Sequence, residues 1–114
     1  MIPDRVRAHA EGFNTAVRSG DFTAFMTTFR EDAVMRFVGV PAGPYVGRDA
    51  IAAAYEAQPP DDTLTVLTVS SSGGDTDSGG DTDEVRFAWD RGGGGTMIVR
   101  WQDGLVADLT VRFD

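Results

Sequence analysis

The first stretch of the chain carries apolar residues at three- and four-residue spacing: Val6, Ala10, Phe13, Ala16 and Val17, with His9 on the same stripe. That period predicts an amphipathic helix, and Pro3 suits its first turn. Ser19-Gly20-Asp21 predicts a stop and a new start, the glycine ending one helix and the aspartate capping the next. Phe22, Phe25, Met26 and Phe29 give the second helix its apolar side. The period then changes. Residues 33–38 are short, β-branched and aromatic, and predict a strand, whereas the prolines and glycines of 39–44 predict a loop. A third helix is predicted from near Gly47, with Asp49 in its first turn opposing the macrodipole. Ile51, Ala54 and Tyr55 form its buried side, and Pro59-Pro60 ends it.

Beyond that point the alternation is strictly two. Segments 64–69, 85–90, 96–101 and 105–113 predict antiparallel strands. Val85, Phe87 and Trp89 share one face, as do Met97, Val99 and Trp101, and as do Leu105, Ala107, Leu109, Val111 and Phe113. The other face carries Arg86, Asp90, Arg100, Asp108, Thr110 and Arg112, so one side is apolar and the other mixed. The glycines of 92–95 and the pair Asp103-Gly104 predict the hairpin turns. Three helices with a later meander imply one α+β domain over residues 1–114, its curved mixed or antiparallel sheet wrapped around the three N-terminal helices. A sheet curled in this way leaves a cone-shaped interior faced by its aromatic residues.

Composition narrows the functions. With no cysteine among 114 residues, disulfides, thiolate chemistry and sulfur-based metal sites are excluded, and a cytoplasmic location is expected. No apolar run approaches a membrane span, and Met1-Ile2-Pro3-Asp4-Arg5 lacks the features of a secretory signal. A net charge of −8, with all ten cations scattered arginines, argues against nucleic acid or an anionic membrane as partner. Arginine without lysine, beside abundant Ala, Gly, Asp and Val, points to a GC-rich bacterial coding sequence. No metal and no cofactor is expected.

One segment repeats: residues 72–77 recur without change as 78–83. Its four aspartates could hold calcium through oxygen ligands, but such loops also need a bidentate acid and a closed geometry. The reading adopted is a flexible, acidic Gly/Asp hairpin loop over 71–84.

Few residues offer chemistry. His9, the sole histidine, lies one turn before Phe13; it could act as acid or base at a pocket mouth, or rest partly exposed on the helix flank. Arg36 could clamp a carboxylate or enolate, or alternate outward to solvent. Tyr45 could offer its hydroxyl to a ligand or cap the core. Trp89 and Trp101 suit core packing or a flat wall for a ring-shaped ligand. No nucleophile elbow, phosphate-binding glycine loop or two-histidine metal motif is present.

Three stretches then carry a likeness: Phe13-Asn14-Thr15-Ala16-Val17-Arg18-Ser19-Gly20-Asp21-Phe22, Phe29-Arg30-Glu31-Asp32-Ala33-Val34 and Gly47-Arg48-Asp49-Ala50-Ile51. In this order they resemble the nuclear transport factor 2-like superfamily, and within it the ketosteroid isomerase and SnoaL-like polyketide cyclase branch. The resemblance implies a cystatin-like α+β barrel, a deep apolar pocket, and commonly a homodimer, here expected through the sheet face. With the inward sheet positions it implies a pocket of Phe13, Phe37, Tyr55, Trp89, Met97, Val99, Trp101 and Leu109. Isomerases of this kind use a carboxylate base and an oxyanion hole of one tyrosine and one protonated aspartate. The resemblance places these at Phe37, Phe13 and Met97, side chains that can neither take a proton nor donate one to an enolate. A one-residue shift does not help, since no acid lies in 34–47 or 95–102 and no tyrosine in the first helix. Two readings follow: a non-catalytic pocket domain for a small apolar molecule, or an isomerase, cyclase or hydratase of polyketide- or steroid-like substrates using His9, Arg36 or Tyr45.

Overall fold

The first helix forms where the apolar stripe predicts it. In a computed structural model describing residues 2–72 and 81–114, α1 spans Asp4–Ser19 and buries Val6, His9, Ala10, Phe13 and Ala16. Gly20 ends it in the left-handed region at φ 76°, its N–H donating to the Ala16 carbonyl at 2.8 Å. Asp21 accepts from the Thr23 N–H at 2.9 Å, but it lies one residue before the N-cap of the next helix, which is Phe22 with no side-chain cap bond.

That helix, α2 (Thr23–Met26), is a single turn, shorter than the apolar spacing through Phe29 predicts. The Thr27 and Thr28 hydroxyls bond back to the carbonyls of Ala24 and Phe25, and the Thr28 carbonyl accepts from the Val106 N–H. The chain is thus already committed to the sheet, and Phe29 opens β1 (Phe29–Val38) instead of closing a helix. A two-residue strand, β2 (Tyr45–Val46), follows the loop and leads into α3 (Arg48–Ala57). The remaining strands are β3 (Leu64–Ser72), β4 (Asp81–Trp89), β5 (Gly94–Gln102) and β6 (Leu105–Phe113).

The strands form one six-stranded sheet in the order β2-β1-β6-β5-β4-β3. Among the described residues only β1 and β6 run parallel, and the other neighbouring pairs are antiparallel. The sheet is curved but unclosed, with β2 and β3 as its edges. Irregularities between Phe29 and Val34, Val66 and Thr68, and Arg100 and Trp101 supply bends. The last of these breaks the predicted alternation. Trp101 pairs with Val106, which is fully buried, while Leu105 is only partly so. Gly94 and Gly95 belong to β5 and not to the hairpin turn, which closes through the Trp89 and Gly93 backbones. A Cβ on Gly95 would stand 2.3 Å from the Arg112 carbonyl oxygen and 3.1 Å from the Phe87 ring, so only glycine fits beneath that ring.

The helices pack on the inner face. Asn14 ties α1 to edge strand β3: its amide donates to the Leu64 carbonyl at 2.9 Å and accepts the Leu64 N–H at 2.8 Å. Ile51 of α3 is fully buried, and the Gly47 N–H donates to the Ala33 carbonyl. No described helix is long and apolar enough to cross a membrane.

Strands β3 and β4 run further than their patterns predict, pairing Ser70 with Glu84, Ser71 with Asp83 and Ser72 with Thr82. The outer parts of the expected 71–84 loop are therefore ladder. A buried carboxylate explains why. Asp83 is 0% exposed and accepts from Arg5 Nε at 2.7 Å and Nη2 at 3.1 Å, Ser71 Oγ at 2.5 Å and Trp101 Nε1 at 2.9 Å. Burial alone would push this carboxyl up, but Arg5, Ser71 and Trp101 together hold it below its ordinary value. The rest of the repeat, residues 73–80, with its loop and calcium readings, lies outside the described residues.

Candidate functional site

Strand alternation sends Met35 and Phe37 inward from β1, and the ladder sets their partners. Phe37 pairs with Val111, Val111 with Met97, and Met35 with Leu109. These side chains, with Phe87 and Trp89 of β4 and Phe113 of β6, form the sheet wall of a cavity of about 390 Å³. His9 and Phe13 of α1 and Ala54 and Tyr55 of α3 form the helical wall, and Val40, Ala42, Tyr45, Gln58, Pro60 and Leu64 complete it. That volume lies within the range of small-molecule pockets.

The structure brings together eight of the residues singled out from sequence: His9, Phe13, Phe37, Tyr45, Tyr55, Trp89, Met97 and Leu109 all line the cavity. Phe13, Phe37 and Met97, the positions the resemblance gives to the isomerase tyrosine, base and acid, are among them. Three residues do not belong. Arg36 projects from the opposite face of the sheet, because its neighbours Met35 and Phe37 point in; it is exposed and ion-paired with Asp108. Val99 and Trp101 face inward but lie where the interior is filled. There Trp101 donates to Asp83, and the Arg5 guanidinium stands 5.6 Å from its ring centroid.

Several lining residues lie outside the pocket that the resemblance implies. Met35, Phe87, Val111 and Phe113 obey the same alternation as Phe37 and Leu109, so periodicity was a sufficient signal for them. Val40, Ala42, Gln58 and Pro60 arrive through chain turns that no local pattern reveals. Tyr45 sits on β2, where it pairs with Met35 and meets the Phe37 ring edge-on at 6.3 Å.

His9 is neither at a rim nor on an exposed flank. It is 6% exposed, with ring centroids of Phe25 at 5.0 Å and of Phe29 and Trp101 at 6.0 Å. Its Nδ1 is buried with no hydrogen-bond partner. Desolvation lowers its pKa from 6.5 to about 4, so the ring is neutral at pH 7. Tyr55 stacks on Phe22 at 4.9 Å, and burial pushes its hydroxyl above the ordinary tyrosine value. Among the described residues no Asp, Glu, Lys or Arg lines the cavity, and no group of three His, Asp or Glu side chains could hold a metal. The site offers an apolar, largely aromatic enclosure with one imidazole, two phenols and the Gln58 amide.

Comparison with solved structures finds this architecture elsewhere. ActVI-ORFA from Streptomyces coelicolor matches with a TM-score of 0.75 at 18% identity, over 97% of this chain and 96% of that one. A protein of unknown function from Mycobacterium tuberculosis matches at 0.71 and 19% identity, over 96% of this chain and 70% of that one. The orange carotenoid protein of Anabaena, solved with canthaxanthin, matches at 0.70 and 16% identity, over 88% of this chain but 33% of its own. At these identities the likeness is one of fold. Comparison with curated proteins gives no match. The family described as the SnoaL-like domain matches residues 10–109, and this chain belongs to it.

Proposed function

We propose that this SnoaL-like domain is a pocket protein that binds a small, mostly apolar molecule between α1, α3 and the inner sheet face, without ketosteroid isomerase chemistry. The observation that carries the reading is the cavity of about 390 Å³ whose described walls hold no carboxylate. Burial of a ring against Phe13, Phe37, Phe87 and Trp89 supplies the binding energy, at about 25 cal/mol per Å² of apolar surface removed from water. A cytoplasmic location accompanies the reading, in keeping with a cysteine-free chain.

The neutral fluorophore N-phenyl-1-naphthylamine tests it. Its emission should rise on binding, and Ala54→Phe, which fills the cavity from α3, should weaken binding at least tenfold. Equal binding by both proteins would place the probe elsewhere and sink the reading. Incubation of a bound ligand with the protein, followed by mass analysis, addresses the second reading. A chemically altered product would favour an isomerase, cyclase or hydratase, for which His9 and Tyr45 are the groups at hand, since both line the cavity.

We also propose a homodimer through the outer sheet face. Exposed Val38 and Ile98 lie there beside Thr110 and the Arg36–Asp108 pair, a mixture of apolar and paired charged groups suited to burial against a second copy. Sedimentation as a monomer at micromolar concentration would overturn this.

A further inference from the structure

The cavity has two unlike ends. Val40 and Phe113 are both exposed while lining it, which marks the mouth. His9 also lines it but is more than nine-tenths buried, against Phe25, Phe29 and Trp101, which marks the inner wall. At that wall a polar ring sits among hydrocarbon; its Nδ1 is closed off and unpartnered, which leaves the other ring nitrogen, also without a partner, as the one a molecule in the cavity can reach. A neutral imidazole has one donor nitrogen and one acceptor nitrogen. A hydroxyl can serve either, a carbonyl only the donor, and a hydrocarbon neither.

We infer that His9 is the specificity residue of this cavity, selecting a neutral ring that carries a hydroxyl at its buried end and rejecting anionic analogues of the same shape. The inference rests on the pocket-binding reading and deepens it. Exclusion of anions follows from the walls. No described lining residue is a cation, and the inner wall is too apolar to compensate a carboxylate without first charging His9. The hydroxyl preference follows from the reachable nitrogen, since the same ligand without its hydroxyl would cover that atom and leave it unpaired.

Three probes of one shape separate the possibilities: naphthalene, 2-naphthol and 2-naphthoate at pH 7.5, each measured by displacement of N-phenyl-1-naphthylamine. We expect 2-naphthol to bind roughly tenfold tighter than naphthalene. We expect 2-naphthoate to bind at least tenfold more weakly than 2-naphthol, and His9→Leu to equalise 2-naphthol and naphthalene. With ¹⁵N-histidine in the native chain, 2-naphthol should move the imidazole nitrogen resonances and naphthalene should not; this arm decides if His9→Leu does not fold. Tightest binding by 2-naphthoate, or equal binding of 2-naphthol and naphthalene with unmoved nitrogen resonances, would overturn the role of His9 while leaving the pocket intact. Binding of none of the three, with no displacement of the fluorophore, would remove the pocket reading itself.

Discussion

Asp83→Ala is expected to lower the free energy of unfolding by about 3 kcal/mol or more, toward the range found when one partner of a buried ion pair is deleted. The carboxylate is 0% exposed and holds four donor groups from three directions: Arg5 on α1, Ser71 on β3 and Trp101 on β5. Without it the buried Trp101 indole N–H loses its acceptor, and α1 loses the Arg5 tie to β4. The Arg5 side chain is 32% exposed and can still reach water, which keeps the expected cost near the lower end. Urea unfolding would show a lower midpoint at unchanged slope. A loss below about 1 kcal/mol would mean that the carboxylate's desolvation cancels its bonds and that the cluster only selects the strand register.

Acidification is expected to remove a similar amount through a different residue. The His9 pKa falls from 6.5 to about 4 on folding, so the unfolded chain binds more protons between these values. The stabilisation is complete above pH 6.5 and is lost as pH falls toward 4. The size is about 3 kcal/mol, from the fall from 6.5 to about 4 at about 1.36 kcal/mol per pH unit. Asp83, held below its ordinary value, adds its own loss only at still lower pH. Asp21, Asp32 and Asp90 are also lowered, by bonds to Thr23, Arg30 and Thr63 respectively, but their exposure makes them minor contributors. Unfolding of the native chain and of His9→Leu at pH 7.5 and pH 4 separates these contributions. The variant should lack most of the decline, and an equal decline in both proteins would assign it to the carboxylates.

These predictions turn on two residues whose surroundings local pattern does not disclose. Period-two alternation identifies Phe37, Trp89, Met97 and Leu109 as inward-facing, because a strand's geometry sends alternate side chains to one face whatever lies beyond. The same rule supplies the outward alternative for Arg36, and the structure has that one, since Met35 and Phe37 on either side point in. It fails at Leu105, where an irregularity shifts the register of β6 and buries Val106 instead, and apolar spacing fails at Phe29, which it assigns to a helix but which β6 recruits as a strand. Asp83 reads as loop because it is polar, beside glycines and within a repeat. Only the meeting of α1, β3 and β5 gives it donors.

The sequence by itself determined the α+β class, the end of α1 at Gly20, the apolar face of the later strands and the likeness to the SnoaL-like family. Each of these is encoded in neighbours a few residues apart, where periodicity, caps and turn residues act locally. Tertiary structure alone decided that the sheet stays open, that Val99 and Trp101 fill the interior while Phe87 and Phe113 border a cavity, and that His9 is buried and neutral. Those outcomes depend on how much water a side chain loses and which distant groups replace it. Residues far apart in the chain, such as Arg5 and Asp83, meet only once the sheet has curved over the helix.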